Sequence, residues 1–228
     1  MAITLAELRT QARQMADMEQ SQFVQDPELN NYINFAIAEL YDLLVGCYGS
    51  DYFLSSTTGT TTADVQDYAL PTDFYKMRGV DIKITDTKWA QITDFNFNER
   101  NKIGLFAVWT LANYGNIRYR VMGGNIKFLP TPSSTVTYRL WYIPVATKLV
   151  ADSDTLNDLN QYSDYVIITA AMKMLHKEES DITAMASERN RIIKRIEDTA
   201  QNRDAGESES ITDIYSSDDY YYVYNGIY

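Results

Sequence analysis

The stretch Ile117-Arg-Tyr-Arg-Val-Met-Gly-Gly-Asn-Ile-Lys-Phe-Leu129 lies near the middle of the 228-residue chain. In its first half, apolar or aromatic residues alternate with Arg118 and Arg120, which is the period-two pattern of a half-buried strand. Gly123-Gly124 suits the primed two-residue turn that joins two antiparallel strands. The stretch therefore predicts a β-hairpin at the centre of a β-rich segment.

Shorter strand-like runs lie on both sides of this hairpin. They cover residues 67–70, 79–84 and 88–92 before it and residues 135–143 after it. Residues 55–62 are dominated by Ser, Thr and Gly, and this composition predicts a loop. Together these signals predict a small antiparallel β sandwich or barrel.

Helical patterns flank the β-rich segment. Thr4 followed by Glu7 fits a capping box, and Asp26-Pro27 predicts a helix start with Asp26 as the N-cap. After the β-rich segment, apolar residues at helical spacing predict one helix over 162–177 and another that Asp181 caps.

This order predicts an α+β protein, mostly α with a β insertion. We expect residues 1–55 and 148–203 to supply the helices of a four-helix bundle-like core. Residues 56–147 would form the β-rich insertion domain, and residues 204–228 an extended C-terminal arm.

The C-terminal arm, residues 204–228, has an unusual composition. It contains six Tyr and six carboxylates but no Lys or Arg. Such a segment is too acidic and too short for a core of its own, whereas Tyr suits an interface because it offers large contact area at low entropy cost. We interpret it as an arm that folds on a partner; packing against its own subunit is the alternative. The expected contacts are Ile211, Ile214, Tyr215, Tyr220, Tyr221, Tyr222, Val223, Tyr224, Ile227 and Tyr228.

The overall charge limits the classes of partner. The formal net charge is −11 at pH 7, which disfavours a protein that wraps nucleic acid but suits a surface that DNA passes without binding. The single cysteine, Cys47, excludes a disulfide within one chain. No apolar stretch reaches the length of a membrane span, so we expect no membrane partner.

No catalytic, cofactor or metal site is predicted. The lone His176 fits the C-terminal end of a helix, and one His with one distant Cys cannot make a zinc site. Adjacent carboxylates such as Glu178 and Glu179 leave a hydrolase open, although they more often mark a solvated face. A cationic cluster leaves nucleic-acid binding open, but its interleaved acids favour ion pairs along the helix. The cluster comprises Arg189, Arg191, Lys194 and Arg195.

Four further basic residues lie on predicted strands with few acids near them in sequence. They are expected to face an acidic neighbour, including the arm of another copy of the chain. These residues are Arg118, Arg120, Lys127 and Arg139.

Two stretches carry a resemblance to a known family. The chain resembles the head-to-tail connector (adaptor) proteins of tailed bacteriophages, and those of short-tailed phages in particular. The likeness rests on the order helix, β, helix and tail, and on two motifs. These are Leu5-Ala-Glu-Leu-Arg9, which continues to Glu39-Leu-Tyr-Asp-Leu-Leu44, and Tyr68-Ala-Leu-Pro-Thr-Asp-Phe-Tyr-Lys-Met-Arg-Gly-Val80.

The resemblance implies a structural virion protein without enzymatic activity or cofactor. It implies a ring, commonly of about twelve copies, between the portal protein and a downstream tail or nozzle protein. Such a ring extends the DNA channel, and its C-terminal segment docks on the portal. The protein would be made in the host cytoplasm and end at the head-tail junction of the virion. A muramidase-like peptidoglycan hydrolase of the tail and a nucleic-acid-binding module are the alternatives.

Overall fold

The computed structural model describes residues 2–49, 51–102, 109–157 and 159–201. The α-helices that it defines in full are α1 (Leu5–Met15), α2 (Asp26–Tyr48), α3 (Ser163–Lys177) and α4 (Thr183–Gln201). The strands are β1 (Ser55–Thr60), β2 (Asp67–Ala69), β3 (Phe74–Lys83), β4 (Trp89–Asp94), β5 (Arg118–Met122), β6 (Asn125–Leu129) and β7 (Thr137–Pro144). The predicted α+β mixture of helices and sheet is therefore confirmed.

The four helices share one hydrophobic core, and α3 lies at its centre. This helix contacts α1, α2 and α4, and its residues 165–171 are all buried. A helix that is apolar around most of its circumference is stable only when neighbours cover it on several sides. Tyr165, with 1% of its surface exposed, is the largest fully buried side chain of the described residues.

The helix starts agree with the sequence in two cases and differ in one. Thr4 and Glu7 form the predicted capping box, and Asp181 accepts hydrogen bonds from the backbone N–H and hydroxyl of Thr183 before α4. The prediction that Asp26 is the N-cap of α2 is wrong by one residue, because Asp26 is the first helical residue. Its carboxylate instead accepts a hydrogen bond of 2.9 Å from Arg13.

The strands form a single curled sheet in the order β1-β7-β3-β4-β5-β6-β2. The predicted hairpin is confirmed, because Met122 pairs with Asn125 across the two-residue turn and Gly123 has a φ of +60°. The expectation of a wholly antiparallel sheet is wrong at one place: β4 and β5 are parallel, with Thr93 opposite Arg118. Parallel neighbours need a long connection, which residues 95–117 supply.

The prediction of a loop over residues 55–62 is also wrong, because Ser55–Thr60 forms the edge strand β1. It pairs with β7 along its whole length, and residues on its inner face alternate with exposed ones. Gly59 lies directly opposite Tyr138, whose ring covers the place that a side chain would occupy. The partner strand therefore overrides a composition that is typical of loops.

We expect Gly59→Ala to lower the free energy of unfolding by about 2 kcal/mol, as overpacking of a filled core does. A Cβ atom at Gly59 would lie 2.4 Å from the Tyr138 hydroxyl oxygen, and the Tyr138 ring is held by Tyr68 and Phe128. Gly46→Ala is the matched control. Nothing lies within 4 Å of a Cβ there, so α2 should gain about 0.5–1 kcal/mol. Urea titration of both variants checks these opposite signs, and equal effects would contradict the prediction.

The helices and the sheet meet where α2 passes β7. Tyr41 and Val45 of α2 pack against Ile143 of β7 in a small buried cluster. The Tyr41 hydroxyl donates a hydrogen bond of 2.7 Å to the Pro144 carbonyl oxygen, and burial raises the pKa of Tyr41 to about 12. A neutral hydroxyl and an apolar cluster thus fix the position of the sheet relative to the helices.

Candidate interaction surfaces

Arg118 and Arg120 of β5 line a polar cavity of about 780 Å³ together with Asp94 and Glu99. Arg120 also donates a hydrogen bond of 2.8 Å to the carbonyl oxygen of Phe95. Arg118 makes no ion pair with another described residue within 4.0 Å. Because cations and carboxylates line this cavity together, it could receive either sign of charge from a neighbour.

The other two basic strand residues form ion pairs inside the subunit. Lys127 of β6 lies 3.3 Å from a carboxylate oxygen of Asp67 in β2. Arg139 of β7 lies 2.8 Å from a carboxylate oxygen of Asp81 in β3. Asp67 and Asp81 are thus distant from these basic residues in sequence but close to them in space. Contact of Lys127 and Arg139 with another copy of the chain stays a prediction.

Arg139 is the centre of an aromatic cluster on the outer face of the sheet. Its guanidinium carbon lies 4.4 Å from the ring centroid of Trp89 and 4.5 Å from that of Trp141. Asp81 accepts hydrogen bonds from Arg139 and, at 2.7 Å, from the Trp141 indole nitrogen. We call these four residues the Trp-Arg cluster.

Contacts within the subunit hold the Trp-Arg cluster. Only 27% of the Arg139 side chain and 15% of the Asp81 side chain are exposed. Trp and Arg are the residue types that most often dominate the binding energy of protein interfaces, and little entropy remains to be lost here on binding. The sequence did not single out Trp89, Trp141 or Asp81, because only strand pairing shows that they are neighbours.

A second surface, the α2–α4 groove, lies where α4 passes the end of α2. It has a volume of about 880 Å³, and its lining includes Tyr48, Tyr52, Arg191, Lys194 and Arg195. The two tyrosine rings lie with their centroids 4.7 Å apart. The groove thus combines aromatic side chains from one side with cations from α4 on the other.

Hydrogen bonds hold the aromatic side of this groove. The hydroxyl oxygens of Tyr48 and Tyr162 are 2.5 Å apart, and Gln161 donates a hydrogen bond to the Tyr52 hydroxyl at 3.4 Å. Burial, and then the hydrogen bond with Tyr48, raises the pKa of Tyr162 well above its usual value. Tyr162 therefore stays neutral at physiological pH. The positive charge of the groove comes from the cations of α4.

Three cations of the predicted helical cluster form ion pairs, but the expected pairing along the helix is confirmed for Arg191 alone among these three. Only one pair lies within α4, whereas the other two reach carboxylates of other helices. The pairs are Arg189 with Glu39, Arg191 with Glu188 and Arg195 with Asp164. These contacts tie α4 to α2 and α3.

His176 and Cys47, the residue types most often found in metal sites, lie at a helix end and against the helical core. His176 lies in the last turn of α3, and Cys47 is half-buried against the helical core, which raises the pKa of its thiol. In the described ranges, no group of three or more His, Cys, Asp and Glu side chains is placed to hold a metal ion.

The predicted arm contacts lie outside the described residues. This applies to Ile211, Ile214, Tyr215, Tyr220, Tyr221, Tyr222, Val223, Tyr224, Ile227 and Tyr228. Their role therefore stays a prediction that rests on the sequence.

Comparison with known proteins gives one family. A family model described as SU10 adaptor protein matches residues 3–211. The chain belongs to the SU10 adaptor family. The resemblance to phage adaptor proteins is thereby confirmed, and the match includes both motifs on which it rests. No curated protein matches the chain. None of the helices described for this SU10 adaptor family member is both long and apolar enough to cross a membrane.

In this SU10 adaptor, the second motif, Tyr68 to Val80, joins β2 to β3. The carboxylate of Asp73 accepts a hydrogen bond of 3.1 Å from the Tyr142 hydroxyl, and the Phe74 ring stacks on the Tyr142 ring. Burial raises the pKa of Tyr142 and the hydrogen bond to Asp73 raises it further. The described contacts of Asp73 and Phe74 thus attach the start of β3 to β7.

Proposed function

We propose that this SU10 adaptor is a structural virion protein that forms a ring between the portal and the tail. The observation that carries the proposal is the family match over residues 3–211. The ring lies at the head-tail junction, extends the DNA channel and presents a surface to a downstream tail or nozzle protein. The subunits are made in the host cytoplasm before they join the virion.

The ring contains about twelve copies in closed symmetry, in which one patch of each subunit meets a different patch of the next. The Trp-Arg cluster supports a contact of this kind, because it offers ordered aromatic area on the outer sheet face. Arg118, Arg120, Lys127 and Arg139 supply basic contacts to an acidic neighbour. Arg118 and Arg120 are the best placed of these four, since Lys127 and Arg139 already form ion pairs with described carboxylates.

The arm docks on the portal through its tyrosines. Residues 204–228 combine six Tyr with six carboxylates, which favours a binding groove that is both apolar and basic. Several arms on one ring raise the effective concentration of each, so weak single contacts produce stable assembly.

Packaged DNA passes the ring without specific binding. The net charge of −11 supports this, because like charges repel the phosphate backbone. The same net charge disfavours nucleic-acid binding by the cationic cluster, whose cations lie among carboxylates. Hydrolysis of peptidoglycan is not proposed, because the adaptor family is structural.

Each subunit consists of the three parts that the sequence predicts. Residues 1–55 and 148–203 form a four-helix bundle-like core, residues 56–147 the β-rich domain, and residues 204–228 the arm. The helical core shared by α1, α2, α3 and α4 supports the first part of this division. A rigid body with a separate arm suits a subunit that must join two different rings.

Mass measurement of the purified protein, alone and mixed with portal particles of the same phage, tests the proposal. We expect the mixture to gain mass in a closed set of subunits of 26.1 kDa, about twelve for each portal ring. A portal particle that gains no mass at concentrations well above those in an infected cell would refute the connector role.

A further inference from the structure

We infer that the α2–α4 groove is the docking surface for the acidic arm of the same chain before assembly. The groove and the arm have complementary charge, complementary aromatic composition and a short connection along the chain. This inference does not rest on docking of the arm on the portal. It assigns an occupant to a groove in the described part of the subunit.

The charges favour this occupant. Arg191, Lys194 and Arg195 line the groove with Asp198, so cations outnumber carboxylates, whereas residues 204–228 carry six carboxylates and no cation. Arg191 and Arg195 already pair with Glu188 and Asp164, whose side chains are 43% and 42% exposed. Ion pairs this exposed contribute little, so carboxylates of the arm can share or replace those partners.

The aromatic residues match as well. Tyr48 and Tyr52 form one side of the groove with their rings in contact, and Tyr52 is also edge-on to Phe53. Such a surface accepts further rings in stacked or edge-on geometry, as tyrosines 220–222 of the arm would offer. A tyrosine-rich acidic peptide therefore satisfies both sides of the groove.

The connection is short enough. The groove spans the last part of α4, and Lys194 lies roughly 10 Å along the helix axis from Gln201 at a rise of about 1.5 Å per residue. About four residues of extended chain cover that distance. Tyr215, the first tyrosine of the arm, follows Gln201 by considerably more residues than this. The arm can therefore turn back after α4 and place its tyrosines over the groove of its own subunit.

Docking in the groove has a consequence for assembly. An arm held by its own subunit is at high effective concentration there, so it is kept from binding the arms or grooves of other free copies. If the portal also binds the arm, it must displace it from the groove. Subunits would then release their arms only on the portal.

Photo-crosslinking of the full-length chain tests the inference. A benzophenone-bearing phenylalanine in place of Tyr222 should crosslink to residues 48–52 or 191–199, as mapped by mass spectrometry. Arg191→Glu together with Lys194→Glu should lower the yield of these crosslinks about tenfold, because two attractive contacts become repulsive. Lys88→Glu together with Lys148→Glu is the matched control: it makes the same charge change on two exposed residues outside the groove lining and should leave the yield unchanged.

An equal mixture of unlabelled and ¹⁵N-labelled chains identifies which copy supplies the arm. Crosslinks that join peptides of the same isotope support docking within one chain. Mixed-isotope crosslinks, crosslinks outside the groove, or a yield that the double substitution leaves unchanged would each overturn the inference. If portal particles gain no mass in the mass measurement while the groove crosslinks are still found, the connector role is refuted and the inference on the groove is not.

Discussion

Deletion of residues 211–228 is expected to reduce association with portal particles by at least about a hundredfold. Truncation of one central tyrosine in an interface commonly costs about 2 kcal/mol, and the deletion removes six tyrosines. Because a ring presents many arms at once, the loss from each arm is multiplied in the assembled state. Co-sedimentation of the shortened chain with portal particles measures the effect.

Two further variants separate loss of the aromatic contacts from loss of the chain. Tyr220→Ser, Tyr221→Ser and Tyr222→Ser in one chain keep the length and charge of the arm, and should still lose most of the association. Tyr114→Ser is the matched control, because this tyrosine is 43% exposed on the body of the subunit. Association of the shortened chain equal to that of the intact chain would show that the arm has no part in portal binding.

Phe128→Ala is expected to lower the free energy of unfolding by about 4 kcal/mol, the range found when a fully buried aromatic side chain is removed. Phe128 is 0% exposed on the inner face of the curled sheet. Its ring centroid lies within 6.1 Å of those of Tyr68, Trp109 and Tyr138, so the cavity would open between three other rings. Those rings cannot collapse into it without leaving their own contacts.

Urea titration followed by tryptophan fluorescence measures this effect on the sheet, because all three tryptophans lie in residues 56–147. Circular dichroism follows the helices in the same samples. Phe35→Ala is the control: Phe35 is 62% exposed on α2, and its removal should change stability by less than about 0.5 kcal/mol. Similar losses in the two variants would contradict the assignment of Phe128 to the core of the sheet.

Two local patterns predict the structure correctly, although the Asp26-Pro27 signal places the N-cap of α2 one residue too late. The capping box of Thr4 and Glu7 and the turn at Gly123-Gly124 need only residues a few positions apart. The strand Ser55–Thr60 could not be predicted from its neighbours in sequence. Its composition favours a loop, and only pairing with β7 makes it a strand. The ion pair of Asp81 and Arg139 was missed for the same reason, because strand register brings the two together.

The sequence by itself determined the α+β class, the order helix, β and helix along the chain, and the composition of the arm, because periodicity, caps, turns and charge are properties of short stretches. Only the tertiary structure decided the parallel pairing of β4 with β5, the Trp-Arg cluster and the α2–α4 groove. Each of these depends on contacts between residues far apart in the chain. Such contacts are selected by the burial and pairing of the whole fold, and no short stretch contains the information that specifies them.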